Sequence, residues 1–277
     1  MTLLQGLLAG ILQGATEFLP VSSSGHLVVL NVLFGYDEAG GNLAFAVFLH
    51  LATLVSVVIV FRKDLAALVR EAFTAMLDLL RGKPDFTTPE RRFLLMIVMA
   101  TIPAVAAGLG IKLLGFSDVL ENVFVVAVMF LGTAALMFTI DRLPEGTYTE
   151  ADAPPKAAFT VGLMQAIAIL PGLSRSGSTI FGGVLGGLKR EFAIRFAFIL
   201  SIPVILGAAL LEGLQAAKTN IVIDPLAWGI GFIAAMIVGI MAIKFIELLA
   251  KHKRFYVFGI YCLGASVFAL LVGLGVI

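Results

Sequence analysis

The sequence predicts an all-α integral membrane protein with six transmembrane helices and two re-entrant helical hairpins, arranged as an inverted-topology repeat. Three observations carry this expectation. The 277 residues are 60% apolar and only 13% charged, with mean hydropathy +1.06, a composition outside the range of soluble domains. A sixteen-residue run, Gly10 to Gly25 (GILQGATEFLPVSSSG), recurs without a gap 152 positions later as Gly162 to Gly177 (GLMQAIAILPGLSRSG). The Lys and Arg residues, finally, divide very unequally between the two sides that such a topology creates.

The first apolar region, 3–34, is broken in its middle at Pro20-Val-Ser-Ser-Ser-Gly25. No Lys or Arg precedes Arg62, so this region lacks the basic flank of a cleaved signal peptide and reads as part of the mature fold. Each arm is short of the roughly 20 residues that cross about 30 Å of hydrocarbon. Non-helical backbone at membrane depth needs protein or water around it, which predicts a hairpin returning to the side it entered. Spans follow near 43–62, 91–113 and 122–141. Between the first two, 64–82 places Leu65, Leu68, Phe73, Met76, Leu79 and Leu80 largely on one helical face, as in a helix lying on a membrane surface. Pro144 to Pro155 (PEGTYTEADAPP) is a polar loop separating the halves. The second hairpin occupies 157–188, broken at Pro171-Gly-Leu-Ser-Arg-Ser-Gly177, and spans near 191–213, 225–248 and 255–276 complete the chain. The expected organisation is one membrane domain built of two repeats, 1–142 and 157–277. Three crossings per half start the second half on the opposite face from the first, so the repeats are inverted.

Cytoplasmic loops carry an excess of Lys and Arg. Under this topology sixteen of them, from Arg62 to Arg254, fall on one side; Lys112 and Lys218 fall on the other, and Arg175 stays inside the membrane. The side poor in basic residues, which holds both termini and the mouth of the first hairpin, is therefore expected outside the cytoplasm. The single Cys262 excludes an intrachain disulfide or thiolate metal site. Short basic runs interrupted by acids exclude a nucleic-acid footprint.

Glu17 and Arg175 are the charges left at membrane depth. Burial there costs at least about 2.5 to 3.5 kcal/mol, which makes each a functional candidate in need of a partner. Gln13 and Glu17 share a helix face at i, i+4. Ser22, Ser23 and Ser24 suit the N-terminus of the second arm, and Ser174 and Ser176 that of the second hairpin, where free N–H groups favour an anion. Two such termini, an arginine and several hydroxyls form a site suited to phosphate. Glu17, able to hold a divalent cation, and His26, which titrates near neutrality, add what hydrolysis requires; Ser23 is a candidate nucleophile or phosphate-orienting hydroxyl. Plainer readings stand beside these. Glu17 and Arg175 could simply pin the repeats together, His26 could be a hydrogen-bonded helix residue, and the serines and glycines could only build turns. His50, in mid-span, reads as structural or as support behind the site.

The run Gln13-Gly-Ala-Thr-Glu17-Phe-Leu-Pro-Val-Ser-Ser-Ser-Gly-His26, followed by Pro171-Gly-Leu-Ser-Arg-Ser-Gly177, closely resembles the undecaprenyl-diphosphate phosphatase family, also called bacitracin-resistance protein. The likeness extends over nearly the whole chain, including Phe196 to Gly207 (FAFILSIPVILG). The resemblance implies hydrolysis of a polyprenyl diphosphate to the monophosphate and inorganic phosphate, recycling the lipid carrier for peptidoglycan synthesis at the plasma membrane. It places the catalytic roles on Glu17, Ser23, His26 and Arg175 and substrate binding on Gln13, Ser22, Ser24, Gly25, Ser174, Ser176 and Gly177. Many members have Glu where this chain has Gln13. Glu17 is then the one carboxylate to hold Mg²⁺ or Ca²⁺, with water, phosphate and neutral oxygens completing the shell. The expected partners are the lipid diphosphate and the bilayer, with a homodimer allowed and no nucleic acid. A polyprenyl-phosphate flippase or transporter would use the same fold, but Glu17, Ser23 and His26 around an anion site favour the enzyme. The Ser-Arg-x₅-His box of other lipid phosphatases is excluded, because Phe181 stands in the histidine position.

Overall fold

In the computed structural model, residues 1–34, 41–83, 85–115, 122–216 and 224–277 are described. Among them are α1 (Leu3–Phe18), α2 (Ser23–Phe34), α3 (Gly41–Val60), α4 (Arg62–Leu80), α5 (Pro89–Leu114), α6 (Val123–Ile140), α7 (Pro155–Ile167), α8 (Arg175–Leu185), α9 (Arg190–Ala216), α10 (Pro225–Lys251) and α11 (Tyr256–Gly273). The described residues form no strand; one isolated bridge joins Tyr148 to Leu188. Five helices, α5, α6, α9, α10 and α11, are long and apolar enough to cross a membrane. A sixth stretch, α3, runs into α4 through a bend of 88°. The all-helical membrane architecture expected from composition is therefore present.

Helix boundaries follow local chemistry. Thr2 and Gln5 close a capping box on α1. Thr88 caps α5 ahead of Pro89, and Asp224 caps α10 ahead of Pro225, the first-turn position where proline loses no hydrogen bond. Both broken apolar regions are helix pairs, α1 with α2 and α7 with α8. α1 ends at Phe18, two residues before Pro20, and α7 at Ile167, from which turn residues lead to Pro171.

Close packing depends on small residues. A Cβ at Gly6, Gly10 or Gly14 would stand 2.3, 2.2 or 2.5 Å from the carbonyl oxygens of Ala227, Gly231 and Ala235. These spacings let α1 lie against α10 backbone to backbone, the contact by which helices associate where lipid removes the hydrophobic drive. α7 lies in the same way along α5, where a Cβ at Gly162 would meet Ala100 at 2.9 Å. The main core gathers around α9, with Phe196, Phe198 and Leu200 fully buried among Phe18, Phe93 and Met137. Large apolar side chains such as Leu8 on α1, Val98 and Ile102 on α5, Leu210 on α9 and Met241 on α10 point outward, as in helices that face lipid.

The charged loops meet at one end. Arg195 bonds Asp64 at 2.9 Å and Glu150 at 2.6 Å; Arg92 donates to Ala151 O, and Arg91 to Glu71 and Asp78. The connector between the halves is pinned there, with Tyr148 N donating to Gly187 O and Lys189 N to Tyr148 O. Of the two basic residues expected at the opposite end, Lys218 lies outside the described residues, as does the Lys112 side chain. Of the apolar face expected along 64–82, Phe73, Met76, Leu79 and Leu80 are exposed on α4 together with Val69, whereas Leu68 is buried and Leu65 packs against the main core, so the N-terminal half of that face is spent on the protein interior.

The α1–α10 contact yields a test. Gly10→Val should cost about 3 kcal/mol by overpacking against backbone that cannot yield. Gly229→Ala, on the same pair of helices with nothing within 4 Å, should change stability by less than about 1 kcal/mol. Thermal unfolding of both variants in detergent is the check.

Candidate functional site: the meeting of two hairpin tips

Gln13 and Glu17 leave the same face of α1, and Phe18 behind them is fully buried, edge-on to Phe198 at 5.5 Å. The chain turns through Ser22, which adopts φ 67°, a left-handed conformation that costs a non-glycine residue about 1–3 kcal/mol. Three contacts hold it there. Its Oγ accepts from Gly25 N at 3.3 Å and from Gly172 N at 3.1 Å, while its carbonyl accepts from His26 Nδ1 at 2.7 Å.

The second tip is built alike. Ser174 caps α8 by accepting from Gly177 N at 3.2 Å. Gly172, at φ 94°, passes so close to α6 that a Cβ would stand 2.5 Å from Val126 O. Thr133 Oγ1 donates to Gly172 O at 2.8 Å and accepts from Ser174 N at 2.9 Å. Ser176 Oγ donates across to Leu19 O, and a Cβ on Gly25 would strike Gly172. Backbone contacts that only glycine permits therefore lock the tips together.

Side chains complete the junction. Arg175 Nη2 donates to Glu17 Oε1 at 2.5 Å, with side-chain exposures of 16% and 5%. Glu17 Oε2 accepts from Gln13 Nε2 at 3.0 Å and Ser23 Oγ at 3.2 Å. Arg175 Nη1 is buried without a hydrogen-bond partner, an expensive condition that an acceptor would relieve. A cavity of about 40 Å³ opens here, lined by Thr16, Glu17, Ser22, Ser23, Ser24, Ser174 and Arg175, with room for about three waters. The first turns of α2 and α8 both reach it, so their dipoles add to the positive potential.

The structure thus brings Gln13, Glu17, Ser22, Ser23, Ser24, Ser174 and Arg175 together. Gly25 and Gly177 contribute backbone N–H groups to the serine caps, and Ser176 ties the tips without lining the cavity. His26 is placed differently. Its hydrogen bonds go to Ser22 O and, through Nε2, to Tyr261 OH at 2.7 Å, and it lines a separate apolar groove of about 500 Å³ with Leu12, Val29, Phe130, Ile260 and Phe268.

His50 stands behind the carboxylate, one of the two places the sequence reading gave it. Its Nδ1 lies 3.0 Å from Gln13 Nε2 and 3.4 Å from Glu17 Oε2. The shorter contact makes Nδ1 the acceptor of the second amide hydrogen, so Gln13 bridges His50 and Glu17. A polar ring at mid-span was the available signal; Thr133 and Tyr261 gave none. Another cavity of about 500 Å³ lies at the charged end, lined in part by Glu150, Lys189, Arg195 and Lys251, but Arg195 there is committed to Asp64 and Glu150.

Among the described residues no three His, Cys, Asp or Glu side chains group to hold a metal ion. The cavity lining is carboxylate and hydroxyl oxygen, a donor set that suits a hard cation only if a ligand supplies the remaining oxygens. One carboxylate beside a phosphate meets that condition.

The model of the family described as bacitracin resistance protein BacA matches residues 6–268. Among similar proteins, three named undecaprenyl-diphosphatase come from Desulfosudis oleivorans, Rubrobacter xylanophilus and Methanosphaera stadtmanae. The first is 39% identical, covering 98% of each chain. The second is 39% identical over 98% of this chain and 99% of its own, and the third 36% identical over 95% of each.

The serines divide by role, and stability measurements separate them. Ser22→Ala strands the buried N–H groups of Gly25 and Gly172 and should cost about 2 kcal/mol. Ser23→Ala, which removes a hydroxyl that donates to Glu17, should change stability by less than about 1 kcal/mol. Equal losses in the two variants would contradict the division.

Proposed function

Because this chain belongs to the bacitracin resistance protein BacA family, we propose that it is a multi-pass membrane phosphatase acting on undecaprenyl diphosphate or a related polyprenyl diphosphate. It releases inorganic phosphate and leaves the lipid monophosphate, returning the carrier to cell-envelope synthesis. The observation that carries this reading is Arg175: paired to Glu17 on one side, it offers an unpartnered Nη1 to a cavity ringed by hydroxyls and helix N-termini.

The reaction is hydrolysis of a phosphoric anhydride, and its barrier falls chiefly through positioning and charge stabilisation. Arg175 and the N–H groups at the starts of α2 and α8 take up charge on the terminal phosphoryl group. Glu17 accepts from Ser23 Oγ and so aims this hydroxyl into the cavity. His26, outside the cavity, serves as proton acceptor through Nε2, whose lone pair is left by the gift of Nδ1–H to Ser22 O and is released when the Tyr261 hydroxyl turns from donor to acceptor. Glu17 would hold Mg²⁺ or Ca²⁺ together with phosphate oxygens, where the cation would neutralise phosphate charge. The prenyl tail lies in the apolar groove beside His26, lined by Val29, Phe130 and Phe268.

In the same reading the membrane fold is two inverted repeats, 1–142 and 157–277, each a hairpin followed by three spans, in the plasma membrane with both termini outside. Several paired features support this. The serine caps recur at Ser22/Gly25 and Ser174/Gly177. The first arms exchange partners, α1 lying on α10 and α7 on α5. The polar and charged loops rich in Lys and Arg gather at one end.

Phosphate release from a polyprenyl diphosphate, measured in detergent with no ion gradient, tests the assignment. Arg175→Ala should lower it by at least about 10²-fold, and EDTA should suppress the wild-type rate. An Arg175→Ala variant that releases phosphate at the normal rate would defeat the reading.

A further inference from the structure

Tyr261 is the distant partner of the one histidine in the first motif. It sits on α11, 50% exposed, between Ile260 and Leu263, both outward-facing apolar residues. Its hydroxyl stands 2.7 Å from His26 Nε2, and the two rings stack at 5.7 Å with 23° between their planes. Phe130 closes the other side of the imidazole edge-on at 5.3 Å.

The hydrogen bonds define the state of the ring. The Ser22 carbonyl can only accept, so Nδ1 carries a hydrogen. In the neutral ring the lone pair is then on Nε2, and the Tyr261 hydroxyl donates to it. When Nε2 holds a proton, the phenol oxygen accepts instead. A hydroxyl is therefore a partner for both states of the imidazole, whereas a carboxylate, which only accepts, serves the protonated ring and an ammonium, which only donates, the neutral one.

We propose that Tyr261 is a positioning residue that fixes the aim of His26 Nε2, while the Ser22 carbonyl sets the tautomer. This rests on the reading above that His26 takes part in the phosphatase reaction. Ser22, held in its left-handed conformation, is the other jaw of the clamp: one contact orients each ring nitrogen.

The experiment compares wild type, Tyr261→Phe and His26→Gln, each purified in detergent with ¹⁵N-histidine. Tyr261→Phe keeps the stacked ring and removes only the hydroxyl, and its unfolding midpoint should match wild type. The expected result is a fall in kcat on the order of tenfold with KM for the polyprenyl diphosphate within about twofold, and displacement of the His26 Nε2 resonance. An unchanged kcat, or a His26 resonance that does not move, overturns the proposal. His26→Gln separates the two levels of argument. If it is nearly inactive while Tyr261→Phe turns over normally, the positioning role fails and the role of His26 stands. If His26→Gln itself keeps wild-type turnover, the reading of His26 falls and the role of Tyr261 falls with it.

Discussion

The ion pair between Glu17 and Arg175 is the contact on which the rest of the molecule depends. Each charge is largely buried within the protein, and each is admitted because the other stands against it. The pair also spans the two broken helices, so neither hairpin tip is complete alone. The small residues of α1 and α10, the turn at Gly172 and the buried Phe18 all serve to hold the two tips at this separation.

Around that pair the two helix breaks share a serine cap and differ in chemistry. Ser22 and Ser174 cap α2 and α8 through the same i, i+3 hydrogen bond. Where the first hairpin carries Glu17, the second has Ile169; where it carries Ser23, the second has Arg175. The first thus supplies the carboxylate and a hydroxyl, and the second supplies the guanidinium. Gln13 stabilises the lone carboxylate with an amide hydrogen, in a place where a second carboxylate would repel it unless a cation intervened. His50 receives the other amide hydrogen, so a three-residue chain orients Glu17 from behind while Arg175 and Ser23 engage it from the cavity.

Much of this was readable in the chain because the bilayer imposes simple rules. Apolar runs of about 20 residues mark helices, and α5, α6, α9, α10 and α11 fall where hydropathy placed them. Prolines 20 and 171 mark the breaks, and the cost of buried charge singled out Glu17 and Arg175. The relations that escaped are those set by three-dimensional approach. His26 was read into the phosphate cavity from its spacing to Ser23, but the left-handed turn at Ser22 directs the imidazole instead to a tyrosine 235 positions away. His50 reaches Gln13 across 37 positions, a contact no local pattern encodes. The spacing of Gly6, Gly10 and Gly14 against Ala227, Gly231 and Ala235 was written in the sequence, yet only the backbone approach shows which helix answers which.

A double-mutant cycle on the unfolding free energy, with Glu17→Gln, Arg175→Gln and the two combined, addresses the ion pair itself. Each single variant leaves an uncompensated buried charge and should lose about 3–5 kcal/mol, while the double variant loses markedly less than the two together, with a coupling of at least about 1.5 kcal/mol. Additive losses in the double variant would show that the two side chains do not meet, and the site built on their meeting would not exist.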